Sequence, residues 1–237
     1  MFMLESTVYL EPIRRVDTGA IWGRLLDGSP ALIRAEEIYC SGLWLERTLQ
    51  HRWPIPCFRL EENDGFHILS AKAYALALKK HLQENPDIVR LDGRVVGFCP
   101  NDPRVAIIDL GAGLTGTIST FHYARAKVPE LKILLEEGQM ISNLYISYAQ
   151  DLWLTREKPP HTEEAQRIGL AEGQMFLCKL GEKTEDGKRY AFLTDDLVGM
   201  IQQDTTGDAP VGATGYVMVM KIAELSEERA RVSLQRK

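Results

Sequence analysis

The chain has 237 residues, 45% of them hydrophobic and 26% charged, with a net charge of −5. That is the composition of an ordinary globular protein, and the acidic total means that any nucleic-acid binding must come from local patches. No apolar run approaches the roughly 20 residues of a membrane helix, and the N-terminus lacks a signal-peptide pattern, so a cytoplasmic protein away from the membrane is expected. Cys40, Cys57, Cys99 and Cys178 are scattered without C-x-x-C spacing, which suggests core thiols, not a zinc site or a disulfide framework.

In chain order, Thr7 to Arg15, Ala20 to Leu26 and Ala31 to Ala35 read as strands. They are separated by turns at Asp17-Thr18-Gly19 and Asp27-Gly28-Ser29-Pro30. Glu36 to Gln50 is a longer, partly helical excursion. Ile55 to Leu60 and Phe66 to Ser70 form a hairpin across Asp64-Gly65, a strong hairpin dipeptide. Five strands with one excursion between the third and fourth is the pattern of a small OB barrel. Ser70 then caps a predicted helix from Ala71 to Glu84, which stops at Asn85-Pro86.

A second unit spans Val89 to Glu157, with strands at Arg94 to Phe98, Val105 to Leu110 and Thr117 to Thr120. An excursion from Phe121 to Leu135 precedes a fourth strand, Met140 to Tyr148. Gly111, Gly113 and Gly116 spell G-x-G-x-x-G after a strand, and Glu136 or Glu137 stands about 20 residues on, where a ribose-binding acid belongs. A nucleotide or S-adenosylmethionine site would need a helix straight after the glycines. The sequence offers Thr117-Ile118-Ser119-Thr120-Phe121, a run of low helix propensity. The expected role of the glycines is therefore backbone geometry at a turn.

A repeat carries more weight than that motif. Ala31, Gly116 and Gly199, each a small residue after an acidic or glycine turn, are separated by 85 and 83 residues. Leu69, Leu154 and Leu234, in the strands that close each unit, are separated by 85 and 80. Two landmarks keeping step three times imply three tandem units. The expected domains are 1–84 with a linker helix, 85–158, and 159–237 with a leading linker. Lys158-Pro159-Pro160-His161-Thr162-Glu163-Glu164 is read as a polar linker whose proline pair breaks regular structure and separates the cores, short linker helices are expected, and Gln203 to Gly212 reads as a mobile Gly/Asp-rich connection. The domains carry charges of −1, −1 and −3 (10 cations against 11 acids, 8 against 9, 10 against 13).

The units resemble the S-one domain, the OB-fold RNA-binding module repeated in the S-one protein of the small ribosomal subunit. The matches are Gly19-Ala20-Ile21-Trp22 with Ala31-Leu32-Ile33-Arg34, Val105-Ala106-Ile107-Ile108 with Gly116-Thr117-Ile118-Ser119, and Tyr190-Ala191-Phe192-Leu193 with Gly199-Met200-Ile201-Gln202, closing in Arg231-Val232-Ser233-Leu234. The resemblance implies a mainly β chain of three tandem five-stranded barrels that binds RNA across strands two and three. Its outward aromatic position falls on Ile21, Ile107 and Phe192, and its histidine position on Arg34, Ser119 and Gln202. On that alignment Trp22 is a core residue, and the second unit, with neither ring nor cation at those two positions, is a spacer. The third unit keeps Phe192 beside Lys188, Arg189 and Tyr190, with Arg231 at the closing arginine; the first has lost the ring but offers Arg14, Arg15, Arg24 and Arg34. Stacking rings beside cations bind single strands regardless of sequence.

Other clusters have plainer roles. Trp44, Arg47, His51, Arg52 and Trp53 would cover a barrel mouth with cations over indoles, or meet RNA or a protein. Asp195-Asp196 is a turn, without a further acid or histidine at metal-ligand spacing. No G-x-S-x-G, P-loop or H-E-x-x-H occurs, and the five histidines lack a nucleophile partner. The sequence thus points to a non-catalytic RNA-binding protein without cofactor or metal, acting in a translation-related or other ribonucleoprotein. The alternatives are a protein-interaction adaptor in a larger assembly and, behind it, an enzyme using the GAGLTG turn.

Overall fold

The computed structural model describes residues 6–86, 88–125, 128–148, 151–202 and 209–236. It contains three five-stranded sheets, each closed as a barrel. The first comprises β1 (Thr7–Arg15), β2 (Ile21–Leu25), β3 (Pro30–Ile33), β4 (Ile55–Asn63) and β5 (Phe66–Ser70). The second comprises β6 (Leu91–Cys99), β7 (Asp102–Asp109), β8 (Thr115–Ser119), β9 (Met140–Tyr148) and β10 (Trp153–Arg156). The third comprises β11 (Met175–Lys183), β12 (Arg189–Phe192), β13 (Val198–Ile201), β14 (Thr214–Leu225) and β15 (Ala230–Arg236). In each ring the third strand pairs in parallel with the fifth, as in Ile33↔Leu69 and Ile201↔Leu234, and the other recorded pairs are antiparallel. These are tandem OB-like barrels, as the repeat implies.

The repeat has a steric cause. Leu69, Leu154 and Leu234 fill the barrel interiors at 1% exposure or less, and in the second and third barrels the closing leucine packs against the glycine of the third strand. A Cβ on Gly116 would lie 3.0 Å from Leu154 Cγ and 2.6 Å from the Leu152 carbonyl oxygen; one on Gly199 would lie 2.4 Å from Leu234 Cδ1. Only a small side chain lets the closing leucine reach the core.

Among the described residues four α-helices accompany the barrels: α1 (Leu43–His51), α2 (Ala71–Glu84), α3 (Thr120–Tyr123) and α4 (His161–Arg167). Ser70 Oγ accepts the Ala73 amide at 2.8 Å, the cap expected for α2. Ala71, Tyr74, Ala75, Leu78 and Leu82 form the buried stripe of α2, and Tyr74 meets Phe58 of β4 edge-on at 5.6 Å. Asp64 and Gly65 both take positive φ, 47° and 77°, as a two-residue hairpin turn requires.

Two expectations about elements need correction. β4 continues to Asn63, three residues beyond Leu60, and β7 begins at Asp102, before Val105. α4 starts directly after the proline pair, with Pro160 as its N-cap. Residues 203–208 of the Gly/Asp-rich connection lie outside the described residues.

The glycine motif sits in the turn from β7 to β8. Asp109 Oδ1 accepts the Gly111 and Gly113 amides at 3.0 and 3.2 Å, and Gly111, Ala112 and Gly113 all have positive φ. A Cβ on Gly113 would lie 3.0 Å from Cys40 Cβ and 3.1 Å from the Trp44 ring; one on Gly111 would lie 3.2 Å from Tyr74. The glycines let the turn bend and let α1 and α2 approach it. A strand follows them in the chain, where a dinucleotide fingerprint has a helix.

By packing, the chain forms two units. One holds 1–99, 106–118 and 136–156, with the first barrel and most of the second; the other holds 100–105, 119–135 and 157–237, with the third barrel.

Candidate nucleic-acid interface

Strand alternation decides which side chains of the third barrel face outward. Arg189 and Ala191 point inward, and Tyr190 and Phe192 lie on the opposite face of β12. β13 turns Gly199 and Ile201 inward and leaves Val198 and Met200 outside. β12, β13 and β15 are consecutive in the ring, and across them runs an open groove of ≈ 660 Å³. Tyr190, Phe192, Met200, Gln202, Arg231 and Ser233 are among the residues that line it. Tyr190 is 41% exposed. Gln202 Nε2 donates to Ser233 Oγ at 3.4 Å, joining β13 to β15. Arg231 pairs with Glu224 at 3.2 Å and stays largely in solvent, so a phosphate can compete for its guanidinium.

Four of the six residues expected here, Tyr190, Phe192, Gln202 and Arg231, therefore share one groove; two do not. Arg189 is only 2% exposed; its Nε donates to the Gly181 carbonyl at 2.9 Å and its Nη2 to the Ala209 carbonyl at 2.6 Å. It is an internal strut, with no surface to offer a ligand. Lys188 sits in the preceding turn, its Nζ held by Asp186 at 2.6 Å. Phe192 is on the expected face, but at 4% exposure it forms the floor of the groove, against Gly181, where a Cβ would come within 2.9 Å of its ring. The exposed ring is Tyr190.

In the first barrel the expected faces are reversed. Ile21, aligned with the outward aromatic, is wholly buried, and Trp22, taken for core, lies on the outer side. The register explains this. Gly23 pairs with Ala31 as Ala191 pairs with Gly199, so Gly23, not Ala20, is the counterpart of Ala191. The three-residue slip is odd, and an odd slip exchanges the two faces of a strand. Trp22 thus corresponds to Tyr190. It meets Phe66 of β5 with ring centroids 5.5 Å apart, an aromatic pair that the alignment overlooked. The sequence signal was Gly23 itself; in the fold a Cβ there would lie 2.2 Å from the Glu11 carbonyl oxygen, so this inward position takes only glycine. Arg14 pairs with Trp22 across β1 and β2, and Arg14, Arg15 and Arg24 are exposed. Arg34 pairs with Glu61 at 3.5 Å on the surface.

In the second barrel Ile107 is on the outer side, as expected, while Ala106 and Ile108 are internal. Trp153 occupies the outer side of β10, away in sequence from Ile107 and Ser119, with Leu154 inside. In the α1 cluster Trp44 and Trp53 are buried; the cation over Trp53 is Arg94 of β6, 4.9 Å from the ring centroid, and His51 stacks on the same indole at 5.2 Å. Asp195 accepts a hydrogen bond from the Tyr123 hydroxyl, and Asp196 is buried. Burial pushes the thiol pKa of Cys57 far above its ordinary value and that of Cys178 up to about 11. Among the described residues no three or more His, Cys, Asp or Glu side chains gather as a metal site would need, and no helix is long and apolar enough to cross a membrane.

No protein-family model matches the chain, and neither does any curated protein. Among solved structures it is similar to the crystal structure of a multidomain protein with nucleic-acid-binding domains from Streptococcus pneumoniae TIGR4, at 14% identity and a TM-score of 0.30. The match covers 99% of this chain and 74% of that one.

Proposed function

We propose that the chain is a non-catalytic RNA-binding protein of tandem OB domains, divergent relatives of the S-one type, acting in a translation-related or other ribonucleoprotein. The observation that carries this reading is the groove of the third barrel, where an exposed ring, Tyr190, stands above Phe192 with Gln202 and Arg231 alongside. A base laid on Tyr190 would put its backbone within the field of Arg231. The outer face of the first barrel, with Trp22, Phe66, Arg14 and Arg24, offers a second stretch of the same chemistry. Domains bounded at 84/85 and 158/159 are part of the proposal. The test is fluorescence anisotropy with a short unstructured RNA at two salt concentrations, comparing the parent with Tyr190→Ala. Absence of binding at low salt overturns it.

A protein-docking role is favoured by a different observation. On the β11–β14 side of the third barrel, Met175, Leu177, Tyr216 and Met220 are 53%, 57%, 57% and 49% exposed. This apolar surface lies on the strands next to the groove strands in the ring, and suits a partner within a larger assembly.

A further inference from the structure

A second cavity lies inside the unit formed by the first barrel and most of the second, away from either outer barrel face described above. It is a slot of ≈ 140 Å³ whose lining includes Trp44 and Thr48 of α1, Trp53, Tyr74 of α2, Arg94 of β6 and Asp109 of β7. A cavity of about 150 Å³ is enough to hold one six-membered ring.

Its polar groups are incompletely used. Thr48 is 1% exposed, and its hydroxyl has no hydrogen-bond partner among the described residues. Arg94 spreads over Trp53 and stands in the electrostatic reach of Asp109. Asp109 Oδ1 accepts two glycine amides, and the carboxylate also meets the Trp44 indole N–H. The carboxyl is deep in the unit, yet the residue keeps accessible surface, and it lines the slot. Buried polar groups are ordinarily satisfied, so unpartnered ones around a cavity mark a place for a guest with complementary groups.

We propose that the slot binds a single uracil-like pyrimidine ring. Its aromatic and apolar walls suit a flat ring, and its lining offers an acceptor, the Asp109 carboxylate, together with donors from Arg94 and Thr48. The edge of uracil carries the complement, an N–H between two carbonyl oxygens. Cytosine replaces one of those carbonyls by an amino group and the N–H by an acceptor, and purines exceed the space. The inference deepens the RNA reading by naming a base, and rests on that reading only where the ring belongs to a strand.

The probes are uridine, cytidine, adenosine and a short oligouridylate, titrated by calorimetry into the full chain and into Thr48→Val, Arg94→Met and Tyr190→Ala. Uridine should bind saturably and better than cytidine or adenosine. Thr48→Val and Arg94→Met should each weaken uridine about ten- to hundredfold, the loss expected when a buried donor to the ligand is removed. Thr48→Val should meanwhile raise the melting temperature, because it deletes an unpartnered buried hydroxyl, and a purely structural role would not produce opposite signs. Tighter binding of the oligouridylate, also weakened by Thr48→Val, assigns the ring to a strand; binding of uridine alone assigns it to a free nucleoside. No saturable uridine binding, or binding indifferent to both variants, leaves the slot to water and overturns the proposal. Equal binding of adenosine overturns the choice of ring. Oligonucleotide binding lost in Tyr190→Ala but untouched by Thr48→Val and Arg94→Met sinks the slot while sparing the groove.

Discussion

Trp22 and Phe66 stand with ring centroids 5.5 Å apart on the outer face of the first barrel. Neither ring is needed to fill the interior, which Ile21, Ala31, Ile33 and Leu69 already occupy. If the pair serves as a stacking platform, Trp22→Ala should weaken a single-stranded RNA by about 1–3 kcal/mol, roughly 5- to 150-fold. Anisotropy against an unstructured RNA measures it, with circular dichroism to confirm folding. An unchanged affinity would assign the pair to packing.

In the third barrel the two groove rings should behave differently. Tyr190→Ala should lower RNA affinity by a similar factor at little cost in stability, since the ring is exposed. Phe192→Ala removes the groove floor and should destabilise the barrel by about 3–5 kcal/mol, as large-to-small core changes do. Chemical denaturation separates the cases. In the second barrel Ile107→Ala should leave RNA affinity nearly unchanged.

Arg189→Met should lower stability by about 2–4 kcal/mol, because the Gly181 and Ala209 carbonyls would lose charge-assisted partners. The salt dependence of RNA binding, measured on the variant while folded, should not move. A reduced slope would mean that this guanidinium reaches phosphate after all.

Asp109 sets a pH dependence. Burial raises its pKa above the ordinary 3.8, against the opposing pull of Trp44, the Gly111 and Gly113 amides and Arg94. The folded state therefore holds this proton more tightly than the unfolded one. The resulting stability is fully present below 3.8 and is lost as pH rises through the elevated folded value. Asp109→Asn keeps an acceptor for the two amides and should abolish that slope in urea midpoints measured from mildly acidic to neutral pH. A slope retained in the variant would assign the effect to another group.

Cleavage beside Ile88, which is 81% exposed, should not separate the first two barrels. Tyr74, Pro56, Cys40 and Trp44 close on the glycine turn of the second barrel, and Arg47 pairs with Glu137 at 2.9 Å. The nicked fragments should elute together on size exclusion; independent elution would count against this packing.

The barrels were legible because Gly116 and Gly199 must be small where the closing leucines pack against them, and Ala31 stands at the same spacing, which leaves a periodic trace. The capped, amphipathic α2 was legible for similarly local reasons. Facing was harder to read: β2 carries Ala20 and Gly23 three residues apart, and the choice between them inverts Ile21 and Trp22. Arg189 resembled a surface cation because nothing local distinguishes an arginine that will find two carbonyls inside a barrel. The slot was out of reach, since Thr48, Arg94 and Asp109 meet only after two barrels have packed.

The parallel pairing of each closing strand has a consequence for the order of assembly. Ile33 waits for Leu69, and Ile201 for Leu234, so during synthesis the edge of the third strand stays open until some thirty further residues have emerged. Until then Val198–Ile201 presents unpaired backbone able to recruit a foreign strand. A nascent chain stalled before Ala230 should accordingly be more prone to misassociation than one stalled at α4, and a chaperone that shields β13 would act in that interval.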